Sequence, residues 1–84
     1  MIVLIDDIKL RNDEEFFAYI DSIFSGVKIG SLDELAQYLL STDETIELLV
    51  SDYEQIEDKS FASKVMKVFI DARDARDNIK LTQM

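Results

Sequence analysis

Three carboxylates in this chain stand directly after apolar runs. Asp6 and Asp7 follow Ile2-Val3-Leu4-Ile5, and Asp52 follows the segment from Thr45 to Ser51, TIELLVS. If these runs are neighbouring strands of one parallel sheet, their ends lie about 5 Å apart along one edge, and the three acids converge. Like charges that close raise one another's pKa unless a cation sits among them. A hard, oxygen-liganded ion such as Mg²⁺ is the fitting occupant. Asp6, Asp7 and Asp52 are therefore the candidate metal ligands. Thr82, ending a last short run, adds a hydroxyl at the same edge. One Asp after a strand is ordinary, because strand ends meet water. The three together are what point to a site.

The elements that must position these residues are legible from periodicity. Met1 to Ile5 is apolar at every position and rich in β-branched residues, the pattern of a strand buried on both faces inside a parallel sheet. Asn12 or Asp13 opens a helix with Asp13, Glu14 and Glu15 in its first turn, where the helix dipole favours acids. Phe16, Phe17, Ile20, Ile23 and Phe24 form its apolar stripe, and Ser25-Gly26 stops it. Val27-Lys28-Ile29 alternates between two glycines and reads as a short edge strand. Ser31 and Glu34 form a capping box for a second helix running to about Leu40, with a stripe of Leu32, Leu35, Ala36, Leu39 and Leu40. A strand over Thr45–Ser51 follows, then a polar loop over Tyr53–Lys59. Ser60 caps a third helix with core positions Phe61, Val65, Val68, Phe69 and Ala72, and Asn78 marks its stop. The end of that helix, with Arg73, Asp74, Arg76 and Asp77, reads as solvated. Ile79–Thr82 forms a last short strand. Strands alternating with amphipathic helices predict an α/β fold over one domain, residues 1–84: a small parallel sheet of three to four strands with three main helices, flavodoxin-like but shortened. Right-handed crossovers fix most of its topology.

Composition narrows the chemistry. Among 84 residues, 18 are Asp or Glu and 9 are Lys or Arg, a net charge of -9. Such a surface repels a nucleic-acid duplex and suits a basic partner or a metal ion. With no Cys and no His, there is no disulfide, no thiol or imidazole metal site, and no Cys-His or Ser-His catalytic pair. No apolar run approaches the roughly 20 residues of a membrane span. Met1 leads straight into the first strand without a basic leader, so a cytoplasmic protein that is not an enzyme is the expectation.

The motifs "IVLIDD" and, 45 residues after Asp7, "LLVSDY" resemble a response-regulator receiver domain. The segment "SLDELAQYLL" is similar to that family's second helix and "NIKLT" to its fourth strand. The resemblance implies that Asp6 and Asp7 hold Mg²⁺ and that Asp52 is the phosphoacceptor, taking a phosphoryl group from a histidine kinase in a two-component phosphorelay. Thr82 would be the hydroxyl that reports phosphorylation. The resemblance covers about the first two thirds of the family's domain. The fifth strand, the last two helices and the Lys that pairs with the phosphoryl group have no counterpart here. A pseudo-receiver that uses the fold for protein contact, binding a kinase or another response regulator, is the second version of this reading. A sheet cut short in this way exposes its last strand and invites pairing with another chain, including a homodimer.

A second resemblance competes. The helix "VMKVFIDARDARDNIKL", the segment "GSLDEL" and the acidic balance resemble barstar-type ribonuclease inhibitors. That match implies an acidic inhibitor or immunity protein blocking a basic nuclease toxin, with Asp33 and Asp71 facing the toxin's site as phosphate mimics. Gln37 stands where a further helix Asp is expected, and Ala36 where an aromatic residue is.

Overall fold

The computed structural model describes residues 1–24 and 26–84. Its order is β1 (Ile2–Ile5), α1 (Asp13–Ile23), α2 (Leu32–Ser41), β2 (Ile46–Val50), a 3₁₀ turn (Tyr53–Gln55), α3 (Ser60–Ala75) and β3 (Ile79–Gln83). The three strands are parallel in the order β1-β2-β3. The chain is thus an α/β domain of three helices on a three-stranded parallel sheet, consistent with a shortened flavodoxin-like fold. No helix among the described residues is long and apolar enough to cross a membrane.

Local chemistry sets each helix start. Asn12 accepts a hydrogen bond from the Glu15 N–H at 2.9 Å and caps α1. Ser31 accepts from the Glu34 N–H at 3.2 Å, as the capping-box spacing predicts; the Glu34 carboxylate reaches one residue further back, accepting from the Gly30 N–H at 3.1 Å and the Ser31 hydroxyl at 3.2 Å. At α3 the cap differs from expectation. Ser60 is the first helical residue, and its N–H donates to Asp58 Oδ1 at 3.0 Å. That bond holds the Asp58 carboxyl below the usual carboxylate range. Gly26 takes φ +85° after α1, a conformation that favours glycine. The part of the expected helix stop assigned to Ser25 lies outside the described residues.

The segment Val27-Lys28-Ile29 forms no strand. Ile29 is buried and its neighbours are exposed, so it anchors the α1–α2 connection by one side chain rather than by a ladder. The consequence for the sheet is large. With no strand beyond it, β1 is an edge strand and not an interior one. Every buried sheet residue (Val3, Ile5, Ile46, Leu48, Val50 and Ile79) lies at an alternating position. Alternation places all of them on one face, and the buried residues of all three helices join them in one core. Two successive crossovers of the same hand, each stepping the same way across the sheet, put the helices on one side. The opposite face stays open: Ile2 is 62% and Leu4 56% exposed. The run IVLI therefore looks buried on both faces in the sequence and is buried on one in the fold.

The largest fully buried side chains are Phe16 of α1 and Phe69 of α3. Phe16 is fully buried, with ring centroids 5.1 Å from Phe17, 5.6 Å from Phe61 and 6.4 Å from Phe69. In α3 the buried positions are Ala62, Val65, Met66, Phe69 and Ala72, while the expected Phe61 and Val68 pack at the margin.

Candidate functional site

The loops after β1 and β2 lie side by side, because Ile5 pairs with Val50. They bring Asp6, Asp7 and Asp52 to one edge of the sheet but do not gather them. Among the described residues, no group of three carboxylates is close enough to hold a metal ion. The side chains diverge for identifiable reasons. Asp6 turns back on its own loop, where it accepts from the Lys9 N–H at 3.0 Å and pairs with the Lys9 ammonium at 3.5 Å. It borders a shallow depression of the open face with Leu4, Leu49 and Met84. Asp7 instead lines a separate cleft of about 410 Å³ between the two loops, with Arg11, Gln55, Ile56, Glu57 and Asp58. Asp52 is exposed and takes the left-handed conformation, φ 59° and ψ 26°. Asp and Asn tolerate that region better than other residues with a side chain, so Asp52 has a backbone reason for its identity: it turns the chain out of β2 into the 3₁₀ turn.

Thr82 is not at this edge. β3 continues to Gln83, and Thr82 pairs with Leu49, level with Leu4. That is three residues short of Asp52, about 10 Å along the strand direction. The strand order adds a second point. In doubly wound sheets the ligand crevice opens where the order reverses. The order β1-β2-β3 has no reversal, so the 410 Å³ cleft is formed by two loops alone.

The Lys9 main-chain N–H is the chief cause of a lowered Asp6 pKa; partial burial opposes it and the Lys9 charge reinforces it. A carboxyl lowered by folding stabilises the folded state above its unfolded pKa of about 3.9 and loses that contribution as pH falls through its folded value. Asp6→Asn keeps an acceptor for the N–H and removes the charge. The wild type is expected to exceed this variant in unfolding free energy at pH 7 by under about 1 kcal/mol, because solvent screens so exposed a pair. The gap should close below about pH 4. Urea unfolding at pH 7 and pH 3 checks it, and a gap that widens on acidification would contradict the assignment.

The residues of the competing reading sit on two helices. Asp33 and Gln37 are one turn apart on α2, both exposed, with Leu40 beyond them 43% exposed. Asp33 takes part in none of the ion pairs among the described residues. Those pairs engage Asp6, Asp71, Asp74 and Asp43. Asp71, on α3, is held by Lys67 at 3.1 Å, so it is less free than Asp33 to meet a partner. Among the described residues no charged or polar residue is buried, which leaves the whole net charge of -9 displayed on the surface.

One cluster escapes the sequence patterns. Arg76, read as part of a solvated helix end, donates to the Leu40 carbonyl at 2.6 Å and the Thr42 carbonyl at 3.0 Å. Asn78 donates to the Thr42 and Glu44 carbonyls, both at 2.8 Å, and accepts from Arg76 Nε at 3.2 Å. Together they close the C-terminal end of α2 onto the turn between α3 and β3. The only local signal was an Arg and an Asn around a helix stop. Compared with models of known protein families and with curated proteins, the sequence matches none.

Proposed function

We propose that the chain is an acidic protein-binding module that neutralises a basic partner, in the manner of the barstar-type inhibitors its helices resemble. The observation that carries this reading is the exposed, unpaired Asp33 beside Gln37 on α2, in a domain whose charge all lies on its surface. A carboxylate one turn from an amide suits the ammonium and guanidinium groups of a nuclease's phosphate-binding site, and the displayed charge of -9 speeds encounter with a cationic surface. The cleft beside Asp7, with three carboxylates and one guanidinium, can take a further basic side chain. The signalling reading stands second. Its acids share a sheet edge, but they do not form a three-carboxylate cation site.

Titration calorimetry against a cationic ribonuclease, with a cationic non-nuclease protein as control, tests the proposal. The expected result is binding to the ribonuclease that weakens with salt and weakens about tenfold or more in Asp33→Ala, roughly 1.4 kcal/mol. Binding that is absent, or unchanged by Asp33→Ala, removes this face from consideration. Incubation with acetyl phosphate and Mg²⁺ is the second arm. A phosphate adduct on the wild type but not on Asp52→Asn, which retains tolerance for the left-handed turn, would favour the relay instead.

A further inference from the structure

The unpaired side of β1 is shaped to bind its own duplicate. Glu47 and Ser51 donate their N–H groups to the Met1 and Ile5 carbonyls, so residues 1, 3 and 5 turn their main-chain groups toward β2. Alternation turns the N–H and C=O of Ile2 and Leu4 the other way. Among the described residues β1 has no other strand partner, and no turn or loop bonds to these four groups. The side chains of Ile2 and Leu4 are also exposed. The two edges of the sheet differ. β3 carries Lys80, and a lysine on an edge strand discourages pairing. β1 alone among the three strands holds no charged residue.

We propose that β1 pairs with β1 of a second copy, antiparallel, about a two-fold axis at Val3. The register is constrained by the faces: a slip of one residue would set exposed side chains against buried ones. With Val3 opposite Val3, Ile2 lies opposite the second copy's Leu4, and Leu4 opposite its Ile2. Each of these pairs exchanges two N–H···O=C bonds, four in all. The three strands on each side become one six-stranded sheet, and Ile2 and Leu4 of both copies form one apolar stripe on its open face. A slip of two residues puts Asp6 opposite Ile2 and loses that stripe. What selects a second copy is self-complementarity: in this register apolar side chains meet apolar ones and all four free main-chain groups find partners. Two chains of -9 repel, and they meet least repulsion along this strand, which carries no charge. Association should therefore tighten as salt rises, the opposite of binding to a basic partner. The surface is distinct from α2, so the two proposals stand or fall separately.

Sedimentation equilibrium of the full chain, from low micromolar to submillimolar, should show a monomer–dimer equilibrium favoured by salt. Leu4→Lys should hold the chain monomeric. Leu49→Lys, on the same open face but on the middle strand, should leave it dimeric. In the wild type, amide exchange at Ile2 and Leu4 should slow as concentration rises while that of Val3 and Ile5 does not, a readout that requires no variant to fold. A chain that stays monomeric at submillimolar concentration overturns the proposal. So does a dimer that survives Leu4→Lys but not Leu49→Lys, or one that leaves the Ile2 and Leu4 amides unprotected.

Discussion

Replacing Phe16 by Ala should cost about 3–5 kcal/mol of unfolding free energy. A domain of this length has a total of only about 4–13 kcal/mol, so the variant is expected to lose a large share of its stability. Phe16 is fully buried, and its ring packs edge-on against Phe17 and Phe61 and tilted against Phe69. Removing it opens a void between α1 and α3. A core with helices on one side only has no second layer to collapse into that void. Phe16→Leu retains most of the volume and should cost under about 2 kcal/mol. Urea unfolding followed by far-UV circular dichroism measures both. An Ala variant that loses less than about 1 kcal/mol would show that the aromatic cluster is not the packing centre.

The second large effect is expected at a residue that looks dispensable. Arg76→Ala should lower stability by about 2–3 kcal/mol, because it removes two hydrogen bonds from a charged donor, which are worth more than neutral ones. The last carbonyls of a helix have no partner within it. At α2 the guanidinium of Arg76 and the amide of Asn78 reach across from the α3–β3 turn to the carbonyls of Leu40, Thr42 and Glu44. Arg76→Lys cannot reproduce the planar fork and should recover less than half of the loss. Asn78→Ala should cost about 1–2 kcal/mol. The double variant should lose less than the sum of the singles, since both residues serve one clip. The Asp43 carboxylate, 3.6 Å from Arg76 and fully exposed, contributes little. The clip also bears on the proposed function. It fixes the end of the helix that presents Asp33 and Gln37, so Arg76→Ala should weaken binding to a cationic ribonuclease even in the fraction that stays folded.

Much of the fold was legible because local chemistry alone determines it. Asn12 before three acids and Ser31 three residues before Glu34 cap helices through bonds that span only a few residues. Phe16, Ile20 and Phe24 repeat with the period that one buried helix face requires. The densely apolar run Thr45–Ser51 reads as a strand, and Ile46–Val50 is one; that it is the central strand, hydrogen-bonded on both sides, came from the fold. The candidate site was legible only in part. Strand ends could be located, so Asp6, Asp7 and Asp52 were rightly placed along one edge. Side-chain direction at such an edge depends on which donors the loop itself offers, and Lys9 claims Asp6 before any ion can.

The composition, the helix caps and the alternation of helix with strand were therefore set by the sequence, since each depends on residues close together in the chain. Tertiary structure alone decided that β1 is an edge, that one sheet face is bare, and that Arg76 holds the end of α2. These outcomes depend on contacts between segments more than 30 residues apart. The run IVLI has the same pattern whether helices cover both of its faces or one; Val27–Ile29 did not pair, which left β1 an edge, and helices on one side left the face of Ile2 and Leu4 bare.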